Sequence, residues 1–240
     1  MQVIPYLLVG FPDQIAFLHH LYSFLENPHF PFVEVGLPAQ RPYLDGKVIR
    51  SAQKWVRKAG MTFRKALQFL EDISWGGRVR KMVLMGYLRD LEEFGLEEFE
   101  VKTHDARLGG MVLVGQRRKV LTCQSRLTIP LVPVVTVKDT ESTLRPFFQG
   151  RPPFIYFRVS SGKTGEGGLL PLPLLEESLR KLRKAYPEIP IFAGFGVRDR
   201  ETARFLRDIG FSGVVVGSVL LRIMMEDRPM EDFLRELEEL

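Results

Sequence analysis

The sequence predicts a single α/β domain over residues 1–240, a (β/α)8 TIM barrel. Three observations point there. Short apolar runs rich in β-branched residues alternate with longer amphipathic runs from end to end, which is the pattern of βα units around a parallel sheet. The short runs number eight, and the 240 residues of the chain are close to the roughly 250 typical of a closed barrel of this kind. No low-complexity linker or composition break divides the chain; Gly150-Arg151-Pro152-Pro153 reads as a turn before a strand.

The first strand is expected at residues 4–9, ended by Gly10-Phe11-Pro12, and Asp13 is placed to cap a helix over 13–25. The second strand, 33–36, is followed by two helical stretches, 48–59 and 62–73, with Gly60 as the stop of one and Thr62 as the cap of the next. A third strand at 81–85 leads into a long amphipathic stretch over 88–107, read as one helix. After the fourth strand, 111–114, only residues 115–130 are left before the fifth; the basic piece near 117–123 is the weakest helical candidate, with a poor apolar stripe that does not require a complete helix. Strands at 132–135, 154–159, 191–193 and 213–216 complete the set. Helices are expected at 140–148, 174–185, 198–209 with Gly210 as its stop, and from 220 to the end.

Composition narrows the function classes. With 45% hydrophobic and 26% charged residues the chain suits an ordinary soluble domain with a full core. No apolar run approaches the ~20 residues of a membrane span, and Met1-Gln2-Val3-Ile4-Pro5 has no charged leader or cleavage pattern, so a cytoplasmic protein without membrane partners is expected. The net charge of +5 comes from Lys and Arg interleaved with Glu and Asp, as in 174–186 and 226–240. Such interleaving suits solvated helix faces with i,i+4 pairs, and no nucleic-acid motif accompanies it. A modest basic bias also suits an anionic, phosphorylated substrate. The single cysteine, Cys123, has no CxxC or His-rich surroundings, and His19, His20, His29 and His104 show no metal spacing; no metal or cofactor is expected.

Chemistry is expected where strands end. Glu34 lies within the apolar run Phe32-Val33-Glu34-Val35-Gly36-Leu37, and eleven residues later Asp45 precedes Gly46. A carboxylate inside an apolar strand costs folding energy unless it is paired or used, so two of them bracketing one strand exit suggest acid/base work. The alternatives are a buried ion pair for Glu34 and a turn or capping role for Asp45. Three glycine-rich segments follow the last three strands: residues 160–168, Gly194-Phe195-Gly196, and Gly217-Ser218. Glycine lets backbone N–H groups approach an anion closely, and converging at the C-terminal face these segments would cradle one phosphate. Gly162-Lys163-Thr164 is not a nucleotide P-loop, because that motif needs glycine where Phe157 stands.

An ordered set of segments then resembles the tryptophan synthase alpha chain family: Ile4-Pro5-Tyr6-Leu7 with Gly10-Phe11-Pro12-Asp13, Glu34-Val35-Gly36-Leu37-Pro38 with Leu44-Asp45-Gly46, Leu84-Met85-Gly86-Tyr87, Phe154-Ile155-Tyr156, Thr164-Gly165, Gly194-Phe195-Gly196-Val197 and the run 213–218. The resemblance implies a cofactor-free lyase that cleaves indole-3-glycerol phosphate to indole and glyceraldehyde 3-phosphate in tryptophan biosynthesis. It implies Glu34 as proton shuttle, Asp45 as acceptor of the indole N–H, and Tyr156 beside the reacting side chain. It also implies phosphate binding by Gly165, Gly194, Phe195, Gly196, Gly217 and Ser218.

The chain departs from the family pattern in three loops. Phe-Ser-Asp becomes Ala39-Gln40-Arg41, Tyr-Asn-Pro becomes Leu88-Arg89-Asp90, and Asp-Leu-Pro becomes Gly115-Gln116-Arg117. The helix that precedes the first strand in the family is not seen before Ile4. In the family these loops meet the beta chain, so altered docking of that partner is expected while the lyase residues are kept. The alternatives are a barrel acting on another phosphorylated substrate and a non-catalytic binding homologue.

Overall fold

The computed structural model describes residues 1–73 and 77–240. Eight parallel strands alternate with helices: β1 (Gln2–Leu8), β2 (Val33–Gly36), β3 (Met82–Tyr87), β4 (Gly110–Val114), β5 (Val134–Val135), β6 (Ile155–Arg158), β7 (Ile191–Gly194) and β8 (Gly213–Val216). They are ordered β4-β3-β2-β1-β8-β7-β6-β5. The seam between β4 and β5 is joined by one parallel bridge, Met111 to Leu131. There the Met111 N–H donates to Pro130 O (2.9 Å) and the Val132 N–H to Met111 O (2.8 Å). The ladder with β6 starts only at Val134, opposite Tyr156, so residues 132–133 of the expected fifth strand lie outside it.

Among the described residues the helices are α1 (Gln14–Glu26), α2 (Lys47–Lys58), α3 (Phe63–Asp72), α4 (Leu88–Phe94), α5 (Leu96–Thr103), α6 (Arg117–Gln124), α7 (Glu141–Phe148), α8 (Leu172–Ala185), α9 (Arg200–Asp208), α10 (Ser218–Met225) and α11 (Glu231–Glu238). Asp13 caps α1 by accepting from the N–H groups of Ile15 and Ala16, both at 2.9 Å, and Thr62 caps α3 through the Lys65 N–H. Gly60 and Gly210 take positive φ just past α2 and α9, as C′ residues do.

Two expectations are corrected and the weakest helical candidate is filled out. The stretch 88–107 is not one helix: Gly95, at φ 106°, ends α4 and starts α5, and a 3-10 turn follows at His104–Ala106. The basic piece at 117–123 does form a helix, α6, which buries only Val120 and Cys123. The last helix breaks between α10 and α11, where Asp227 has φ 50° and Pro229 cannot donate to a continuing turn. No helix among the described residues is long and apolar enough to cross a membrane.

Inside the barrel, rings are matched to glycines on neighbouring strands. A Cβ on Gly36 would lie 2.1 Å from the Tyr6 hydroxyl oxygen, one on Gly194 2.0 Å from Tyr156 Cε2, and one on Gly213 2.5 Å from Phe192 Cε1. The barrel thus closes around Tyr6, Tyr156 and Phe192, all buried, because three strands carry no side chain where the rings lie. Above these rings, at the C-terminal ends of the strands, is a cavity that Tyr6 and Tyr156 help to line.

Candidate active site

Glu34 stands in β2 opposite Tyr6 of β1 and Val83 of β3, buried to 4% exposure. Its alternation with Val33 and Val35 turns it inward, toward a cavity of about 520 Å³ including its mouth. Asp45, 2% exposed, reaches the same cavity from the loop after β2. Its backbone N–H closes a turn on Pro42 O and its carbonyl accepts from Arg50 Nη1 at 2.9 Å. Gly46 occupies the N-cap position of α2 without any side-chain cap, so the Asp45 carboxylate is left for the cavity. Among the described residues no cation pairs with Glu34, which removes the ion-pair alternative.

Burial sets the electrostatics. It raises Glu34 from an ordinary 4.5 to about 8, with the Asp45 charge adding to the rise. Asp45 is raised to about 7, again mainly by burial, while Tyr87 and Arg50 oppose the rise. Because Asp45 has these helpers, ionisation starts on Asp45 and the remaining proton sits on Glu34. Two groups this close titrate as a pair. The Tyr87 hydroxyl lies near enough to Asp45 to favour its ionised form, yet among the described residues it, Asp45 Oδ2 and the Tyr6 hydroxyl have no partner at full hydrogen-bond geometry. These are buried polar atoms in want of partners, grouped around one space.

The cavity is lined by eight of the nine sequence-predicted site residues: Glu34, Asp45, Tyr156, Gly165, Phe195, Gly196, Gly217 and Ser218. Ser218 opens α10 and so lies at the positive end of its dipole. Gly165, at φ 72°, approaches so closely that a Cβ would lie 2.5 Å from Ser218 Oγ. Phe195, at φ 65°, has its carbonyl held by the Ser160 hydroxyl and its ring 5.4 Å from that of Tyr156. Gly194 is the exception. It lies within β7, and its missing side chain makes room for the Tyr156 ring.

The segment 160–169 covers this cavity. The Thr164 N–H and hydroxyl both donate to Leu44 O, at 3.1 and 3.3 Å, and a Cβ on Gly46 would stand 2.0 Å from Thr164 O. The glycine after Asp45 therefore lets the cover come down.

Sequence reasoning did not assign Tyr6 and Tyr87 to the site, because a tyrosine in an apolar strand reads as core. The signal that finds Tyr6 is alternation: it shares the inward face of β1 with Ile4 and Leu8, and its strand partner is Glu34. The three departing loops, in turn, interlock. The Gln40 N–H donates to Asp90 Oδ1 (2.9 Å) and Gln40 Nε2 to Glu93 (2.7 Å), and a Cβ on Gly115 would lie 2.6 Å from Leu88 Cβ.

A sequence model of the tryptophan synthase alpha chain matches residues 1–240. Solved structures agree in fold. A mutant tryptophan synthase alpha-subunit from the hyperthermophile Pyrococcus furiosus is 25% identical, with 100% of this chain and 97% of that one covered and a TM-score of 0.78. A Mycobacterium tuberculosis tryptophan synthase structure is 24% identical over 100% and 89%, TM-score 0.76. A structural study of a protein from Aquifex aeolicus VF5 gives 23% over 99% and 92%, TM-score 0.81.

Proposed function

The chain belongs to the tryptophan synthase alpha chain family, and we propose from that premise a division of labour among its site residues. It is a lyase of tryptophan biosynthesis, and the reaction assigned to it is cleavage of indole-3-glycerol phosphate to indole and glyceraldehyde 3-phosphate. The observation that carries the assignment is the pair of buried carboxylates, Glu34 and Asp45, facing one cavity, with no cation paired to Glu34 among the described residues.

At neutral pH Glu34 holds its proton, since its value is about 8. It gives that proton to indole C3, which turns the ring into an electron sink. The Asp45 carboxylate accepts the ring N–H and stabilises the positive charge developing there. Glu34, now ionised, takes the proton from the side-chain hydroxyl. The bond from C3 to the carbinol carbon breaks, its electron pair restores the aromatic indole, and the carbinol carbon becomes the aldehyde. Glu34 ends protonated as it began. Tyr156 packs beside the reacting side chain, and Gly165, Gly196, Gly217 and Ser218 supply donors for the phosphate at the start of α10.

Indole release from indole-3-glycerol phosphate by the purified chain tests this reading. Turnover by the wild type that falls ~10²–10⁴-fold in Glu34→Gln, the range for loss of one positioned acid–base group, supports it. Unchanged turnover rejects Glu34 as shuttle. Phosphate binding without any product assigns the barrel to another phosphorylated substrate or to binding alone.

For a tryptophan synthase beta chain as partner we infer altered docking. Support comes from the mutual contacts of Gln40, Asp90 and Glu93, which satisfy among themselves the polar groups of two departing loops. Mixing with a beta chain should give weak association by co-elution and little activation; tight association with strong activation would count against it.

A further inference from the structure

Two residues of β6 face inward, Tyr156 and, one layer nearer the mouth, Arg158, whose register partner on β7 is Gly194. Arg158 is half-buried. Its Nη2 donates to Gly162 O at 2.9 Å, and its guanidinium carbon lies 4.7 Å from the centre of the Phe195 ring. Its Nε is buried and has no hydrogen-bond partner among the described residues. An arginine offers five N–H donors, and stacking on an aromatic face leaves its in-plane donors free for an anion.

The charge of the cavity gives this arginine its meaning. The lining includes Glu34 and Asp45 and no Lys or Arg. A phosphate monoester entering it meets two carboxyl groups, the hydroxyl-bearing residues Tyr6, Tyr156, Thr164 and Ser218, and the backbone of the glycine-rich segments. Arg158 is not itself among the lining residues but is stacked on Phe195, which is. A guanidinium with an unused buried donor costs desolvation energy in the empty site, and an arriving anion removes that cost. Gly162, which Arg158 already holds, belongs to the covering segment 160–169.

We propose that Arg158 is a specificity-determining residue of this site: its unpaired Nε–H takes an anionic phosphate oxygen of the substrate while Nη2 keeps the covering segment by Gly162 O. Phosphate occupancy and cover are thereby read by one side chain. The proposal rests on the reading of the site as one for a phosphorylated substrate, but not on turnover.

The test uses the full chain and its Arg158→Leu and Arg158→Lys variants, with calorimetric binding of glycerol 3-phosphate, inorganic phosphate and indole as separate probes. In Arg158→Leu, glycerol 3-phosphate should bind about ten-fold or more weakly, as expected for loss of a charged hydrogen bond. Arg158→Lys should recover part of the loss, and indole affinity should not change. In turnover the loss should appear in KM more than in kcat. Unchanged glycerol 3-phosphate binding in a folded Arg158→Leu variant overturns the proposal, as does a wild type that binds neither phosphate probe. An equal loss for indole overturns it too, since that marks a general disturbance of the pocket. A wild type that binds glycerol 3-phosphate through Arg158 without releasing indole keeps this proposal and rejects the lyase assignment.

Discussion

The backbone N–H of Lys47 donates to the Glu166 carboxylate across 2.8 Å, tying the covering segment to the first turn of the helix that follows Asp45. A carboxylate at a helix N-terminus is favoured by the dipole. The nearby Arg50 guanidinium, 3.7 Å away and about a third exposed, adds little. Glu166→Ala should therefore loosen the cover and leave the barrel intact. The expected outcome is a several-fold higher KM, faster tryptic cleavage at the exposed Lys163, and global stability within about 1 kcal/mol of wild type. Wild-type cleavage and KM in Glu166→Ala would show that the contacts at Gly162 and Thr164 hold the segment without it.

Glu34 makes the fold pH-sensitive in a direction that follows from its raised value. A group bound more tightly to its proton in the folded state contributes stability that is fully present below its unfolded value, 4.5, and is lost as pH rises through about 8. Glutamine cannot ionise, so Glu34→Gln should escape that loss. Its melting temperature should match wild type near pH 4 and exceed it at pH 8.5, by a few kcal/mol in order of magnitude when expressed as stability. Parallel melting curves across this range would mean that Glu34 ionises without cost, and is solvated.

The same pair sets the rate profile. In the proposed mechanism the productive state has Asp45 ionised and Glu34 protonated, so kcat/KM should rise to a maximum between about 7 and about 8 and fall on both sides. These limbs belong to the pair. Tyr87 holds Asp45 down; Tyr87→Phe should move the acidic limb to higher pH and leave the basic limb nearly in place. An unmoved acidic limb would remove Tyr87 from the electrostatics of the site.

What could be read from the sequence follows a physical division. Alternation and capping depend on neighbours a few residues apart, so the eight strands and the caps Asp13 and Thr62 were legible. Glu34 stood out because an ionisable group in an apolar strand conflicts with its surroundings. Gly95 did not, because one glycine in an amphipathic stretch is often carried within a helix. Tyr87 beside Asp45, Glu166 on the Lys47 N–H and Arg158 on Phe195 join residues brought together only by barrel closure, and none has a local pattern. Gly194 shows the limit from the other side. A glycine at a strand end suggests an anion cradle, yet the same absence of a side chain serves a ring on the next strand.

That last distinction is testable with two alanines. A Cβ at position 194 would sit 2.0 Å from Tyr156 Cε2, a ring locked between β6, β7 and Phe195 that has nowhere to go. Gly194→Ala should destabilise the barrel by about 1–3 kcal/mol, the range for overpacking, which in a chain of this size lowers the melting temperature by ~2–4 °C per kcal/mol. It should lower kcat as Tyr156 is displaced, with little change in glycerol 3-phosphate affinity. At position 196 a Cβ would meet Leu169 Cδ2 and Val159 Cγ2 at 3.1 Å, ends of side chains that can shift by a few tenths of an ångström. Gly196→Ala should therefore spare stability and, if Gly196 belongs to the proposed phosphate cradle, weaken glycerol 3-phosphate binding. If Gly194→Ala instead weakened glycerol 3-phosphate binding and left the melting temperature unchanged, Gly194 would join the cradle, and the Tyr156 ring would be mobile enough to yield its place.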